Sequence, residues 1–89
     1  MIADKDREMI IQFARKYQVA CVILFGSSIV EGRDARDIDL GVKGIEPRLF
    51  FPFYGDLLMH LSKSVDLVDL SHKSRFTDLV EKNGVVIYG

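Results

Sequence analysis

The chain reads as one α/β domain, a small mixed sheet of about four strands flanked by helices. Three observations predict this. Apolar residues recur at helical spacing from Asp4 to Gln18, an unbroken apolar run from Val19 to Phe25 follows, and Asp37 to Val42 alternates charge with hydrocarbon. Eighty-nine residues suffice for a single domain over 1–89 and leave no room for a second. With 48% hydrophobic and 28% charged residues spread along the whole length, a disordered or low-complexity chain is excluded.

The elements follow in order. Met9, Ile10, Phe13, Ala14 and Tyr17 form one face of a first helix, with Asp4 or Asp6 available to cap its free amides. Val19 to Phe25 lacks a polar break, as a strand covered on both faces does, and it stops at Gly26. The short polar stretch to Arg36 has room for one or two helical turns. A strand over Asp37 to Val42 puts Asp37 and Asp39 on one face and Ile38, Leu40 and Val42 on the other. Leu49, Phe50, Phe53, Leu57, Leu58 and Leu61 trace a second helix, whose start at Pro52 would cost little in a first turn. Val65 to Leu70 is a third strand, Phe76, Leu79 and Val80 mark a third helix ended by Asn83-Gly84, and Val85 to Tyr88 is a fourth strand. The connection from Gly26 to Asp37 suits either strand direction, hence the expectation of a mixed sheet.

Charge narrows the function classes. Twelve basic against thirteen acidic residues give a net charge of -1, so no global positive field holds a nucleic acid, and no stable nucleic-acid binding is expected. The single Cys21 has no partner for an internal disulfide and suits a reducing, cytoplasmic setting. The alternating charges of the first residues are unlike a signal peptide, and no apolar run reaches membrane-spanning length.

Two features carry chemistry. Carboxylates about 5 Å apart on one strand face repel by roughly 3 kcal/mol at an effective dielectric of 20, a cost that a divalent cation removes. Mg²⁺ takes one or two protein carboxylates and fills its remaining positions with water and substrate phosphates. The bland alternative is a strand showing two charges to solvent. The second feature is Phe25-Gly26-Ser27-Ser28, at the junction of a buried strand and a helical turn, where outward amides favour an anion and glycine admits it closely. The bland alternative there is ordinary turn and cap chemistry. Jointly they describe a site for a nucleoside triphosphate and its metal.

Gly26-Ser27, then nine residues, then Asp37-Ile38-Asp39-Leu40 resembles the signature of the polymerase-beta-like nucleotidyltransferase superfamily. The sequence is most similar to the minimal nucleotidyltransferases that pair with HEPN-domain proteins in prokaryotic toxin-antitoxin systems. Val65-Asp66-Leu67-Val68-Asp69-Leu70 resembles that family's third-carboxylate strand, and Glu81 to Tyr88 its C-terminal helix and strand, so the resemblance covers nearly the whole chain. It implies that Gly26, Ser27 and Ser28 hold a triphosphate, that Asp37, Asp39 and Asp66 are catalytic and ligate two Mg²⁺ ions, and that the substrate is ATP. Parity alone leaves Asp66 and Asp69 open, because they point to opposite faces; the family pattern selects Asp66 and leaves Asp69 to cap the turn from Ser71 to Lys73.

The implied function is a Mg²⁺-dependent protein adenylyltransferase that moves AMP from ATP to a hydroxyl of a HEPN-type RNase toxin, for which it is the antitoxin, in an oligomer or hetero-complex. The chain departs from the family pattern in a spacing one residue shorter, in Ile29-Val30-Glu31-Gly32 after the Gly-Ser pair, and in Arg36 before the first Asp. These departures define an alternative, a catalytically weak or inactive module of the same fold that neutralises its partner by occlusion. Arg33, Arg36 and Lys43 are candidates to approach phosphates, with solvated surface charge the simpler reading. His60 and His72 lack zinc-ligand spacing. Phe50 and Phe53 suit the core, whereas Phe51 and Tyr54 point elsewhere and offer a partner surface.

Overall fold

A computed structural model describes residues 2–29 and 36–89. The first helix, α1, spans Asp4–Lys16 and buries Ile10 and Ala14. The expected acidic cap is not made, for its N-cap is Ala3 with no side-chain cap bond. Asp6 lies four residues before Ile10 and therefore faces inward, where it is 5% exposed. Its carboxylate accepts from the Ser62 amide at 3.0 Å and the Ser62 hydroxyl at 2.5 Å, so a buried charge is kept hydrogen-bonded and α1 is tied to a distant turn.

The strands are β1 Cys21–Phe25, β2 Asp37–Lys43, β3 Ser64–Asp69 and β4 Val85–Tyr88. They form one sheet in the order β3-β2-β1-β4. The β1–β2 and β1–β4 pairs are antiparallel and β2–β3 is parallel, which is the mixed sheet expected. The parallel pair is made possible by a crossover through α2, Phe50–His60, and α3, Arg75–Asn83, joins β3 to β4.

The second helix starts at Phe50, directly after a 3₁₀ turn over Pro47–Leu49, and not at Pro52. Pro52 still falls in the first turn, where its missing amide has no intrahelical acceptor to lose, so the ladder is unbroken. Phe53 and Leu57 are fully buried while Phe51 is 77% exposed. Tyr54 is half-buried, and its hydroxyl donates to the Val65 carbonyl at 2.7 Å, fixing α2 to β3. The helix is also fastened to α1, since Asp56 accepts from the Tyr17 hydroxyl at 2.5 Å and from Lys16 at 3.0 Å. These bonds, that of Tyr17 foremost, hold the Asp56 carboxyl below its ordinary value.

The two faces of the sheet are unequal. One carries the main core, where Ile10, Ala14, Phe53 and Leu57 pack on Val22, Leu24, Ile38, Leu40, Val42 and Leu67. On the other, Ile23, Leu70 and Val80 form a small cluster under α3, with Cys21, Phe25 and Val68 at its margin. Burial pushes the Cys21 thiol up, consistent with a packing role. Gly41 sits between Ile23 and Val68 in the ladder, and Leu70 occupies the space its side chain would need. Among the described residues, no helix is long and apolar enough to cross a membrane.

Candidate functional site

The small cluster covers only one end of that second face. Phe25 at the end of β1 pairs with Asp39, while Asp37 and Asp39 at the start of β2 pair with Ser64 and Asp66 on β3. Register partners on adjacent strands project to the same side, and adjacent strands lie about 4.8 Å apart. Asp37, Asp39 and Asp66 therefore share the face left open beyond the apolar cluster. Ile38 and Leu40, of opposite parity, anchor the strand in the main core and fix which way the acids point.

Gly26 stands over this group at the β1 exit. Its φ is 68°, in the left-handed region that glycine occupies freely, and a side chain there would run into the Asp39 carboxylate, whose Cγ would be 3.2 Å away. The bare backbone of a 3₁₀ turn, Gly26–Ile29, thus abuts an acid from the neighbouring strand. The candidate phosphate and metal residues are brought to one place at the level of Gly26 and Asp39. Ser27 and Ser28 lie in the same turn. The remainder of the altered loop, with Arg33, lies outside the described residues.

Asp39 is half-buried between two exposed acids. Burial first, then the charge of Asp66 and that of Asp37, raises its carboxyl above the ordinary value. Three hard oxygen donors whose central member resists ionisation fit a divalent cation, which would offset the lost hydration and the mutual repulsion. Among the described residues, no three His, Cys, Asp or Glu groups close on a common point as a finished cage. Mg²⁺ does not require one, because water and substrate phosphates complete its octahedron.

The other candidates separate cleanly. Asp69 turns away to accept from the Ser71 amide at 2.9 Å and hydroxyl at 2.6 Å, the capping role expected of it. Lys43 is at the far end of β2, opposite Cys21, and is paired with Glu81. His60 bonds the Asp56 carbonyl and stacks near Phe13. The sequence reading missed an apolar groove beside Gly26, between β1 and α3, of about 190 Å³ and lined by Phe25, Ile29, Phe76, Leu79 and Asn83. A signal existed: α3 buries Val80, but Phe76 and Leu79 remain 50% and 58% exposed, so its apolar face is wider than its packing requires.

Similar proteins share this arrangement of chain. No curated protein matches it. Among solved structures, a toxin-antitoxin complex with AMP-PNP contains a chain 24% identical, with a TM-score of 0.74 over 93% of this chain and 73% of that one. A mutant of the MntA toxin-antitoxin complex bearing two Asp-to-Glu substitutions gives 24% identity and a TM-score of 0.73 over 93% of this chain and 72% of that one. A tri-AMPylated Shewanella oneidensis HEPN toxin in complex with MNT antitoxin gives 24% and 0.70 over 94% and 70%. At this identity the likeness shows the fold. The family model "Polymerase beta, Nucleotidyltransferase" matches residues 8–89, which takes in every strand and the whole of the acidic face. The chain therefore belongs to the polymerase beta nucleotidyltransferase family.

Proposed function

We propose that this domain is a Mg²⁺-dependent nucleotidyltransferase that moves AMP from ATP to a hydroxyl of a HEPN-type toxin, acting as its antitoxin in the cytoplasm. The observation that carries the reading is the register of β2 on β3, which sets Asp66 beside Asp39, the acid that lies against Gly26. Similarity to complexes of HEPN toxin with MNT antitoxin, one with an AMPylated toxin and one with AMP-PNP, supports the choice of nucleotide and partner.

Asp37, Asp39 and Asp66 would hold two Mg²⁺ ions. When bound, the ions supply charge neutralisation on the phosphates and a lowered pKa for the acceptor hydroxyl. The chain itself does the rest by position. Gly26 leaves the backbone open, so that phosphate oxygens approach the amides of the 3₁₀ turn. The acceptor oxygen forms a bond to the α-phosphorus as the bond to the bridging oxygen breaks, pyrophosphate leaves, and the hydroxyl proton passes to Asp66 or solvent. The partner presents the acceptor, a reading supported by the similarity to an AMPylated HEPN toxin in complex with MNT antitoxin.

The test is transfer of label from ATP, with Mg²⁺, to the product of the adjacent gene. Wild type should label it and Asp37→Asn should not. Equal absence of label in both would overturn the reading, and an Asp37→Asn protein that still neutralises the partner would make the domain an occluding module instead.

A further inference from the structure

The groove between β1 and α3 has no part in the transfer chemistry described above, yet it opens from the same residue. Gly26 is at once a wall of the groove and the residue against which the Asp39 carboxylate lies. The groove is almost entirely hydrocarbon and aromatic, with one amide, that of Asn83, among its lining groups. Phe25 meets Phe76 edge to face, at 5.7 Å between centroids and 82° between planes, so the contact occupies one face of only one of the two rings. Phe76 is half exposed, and Leu79 at the rim more so.

We propose that this groove is the platform for the nucleobase, with the base stacked at Phe76, Leu79 and Ile29, and Asn83 as its single hydrogen-bonding contact. This rests on the nucleotidyltransferase reading and extends it. The occupant follows from continuity: a ligand whose phosphates sit at Gly26 and Asp39 must send its remaining part along one of the walls of Gly26. The wall toward β3 is acidic, and the wall toward α3 is apolar and concave. A flat heteroaromatic ring suits the second. Stacking on an aromatic side chain tolerates any base, so the groove would tell a nucleotide from a bare polyphosphate more sharply than one base from another.

Calorimetry with Mn²⁺ on the full chain tests this, with ATP and inorganic tripolyphosphate as the two probes. Wild type should bind ATP more tightly than tripolyphosphate. Phe76→Ala should weaken ATP binding about 10-fold, the loss of one stacking contact, while leaving tripolyphosphate affinity unchanged. Leu79→Ser, at a rim position the fold does not bury, should act in the same direction and guards against a misfolded Phe76 variant. If both probes bind wild type but the two variants weaken neither, or weaken both equally, the base platform is overturned and the nucleotidyltransferase reading stands. If neither probe binds wild type, both fall.

Discussion

Replacing Gly26 by alanine separates backbone strain from site geometry. The residue lies at φ 68°, where a side chain costs roughly 1–2 kcal/mol. The added methyl would also collide with the Asp39 carboxylate. That carboxylate ends a short, rotatable side chain, so it yields by turning, and the collision adds little to the folding cost. For a domain of this size the strain lowers the melting temperature by about 4–16 °C. The turned carboxylate is a different matter, since displacement of a positioning group by about 1 Å can reduce a rate roughly 100-fold. Scanning fluorimetry and the labelled-ATP transfer assay read the two effects independently. In an Asp39→Ala background the collision is gone while the strain remains, so the same thermal loss should reappear there undiminished. Wild-type transfer by Gly26→Ala, or a thermal loss that vanishes in the Asp39→Ala background, would refute the reasoning.

Further outcomes follow from the same geometry. The raised Asp39 carboxyl binds its proton more readily when folded, so its stabilising contribution is complete below the ordinary value of 3.8 and is lost as pH rises through the folded value. Asp39→Asn should therefore melt above wild type at neutral pH, by an amount that screening of its exposed neighbours keeps small, with the gap closing in acid. A neutral variant that melts lower across the whole pH range would contradict this. Gly41→Ala would place a methyl 2.8 Å from Leu70 Cγ and should cost about 1–3 kcal/mol by overpacking, measured as a lower urea midpoint. Asp6→Ala strips the Ser62 amide and hydroxyl of their acceptor. It should cost about 1–3 kcal/mol, with early hydrogen exchange where α1 meets the turn before β3 as the signature.

Much of the sheet was legible because each strand carries its own pattern. Alternation from Asp37 to Val42 states which residues face the core, and Ile38, Leu40 and Val42 are indeed buried there. Pairing is another matter, since a strand's sequence says nothing of its neighbour's direction. The coincidence of Asp66 with Asp39 depends on a parallel register that the crossover through α2 sets, and local parity could not separate Asp66 from Asp69. Family resemblance chose Asp66 there, and the register places it on the acidic face. Asp6 shows the opposite failure. Local rules read it as a cap, but its helical phase with Ile10 and Ala14 turned it inward, where a residue 56 positions away supplied its donors. The Gly41 to Leu70 contact is likewise a tertiary fact, invisible until the two strands are laid side by side.

The direction in which the last strand runs has a practical bearing. Tyr88 pairs with Val22, near the start of β1, and the Gly89 backbone rests against Cys21. The acids gather at the other end of β1, where Phe25 meets Asp39. A fluorophore, affinity handle or surface tether joined after Gly89 would thus emerge from the rim of the sheet most remote from the chemistry. Immobilised in that orientation, the domain would offer both its acidic face and its apolar groove to whatever flows past.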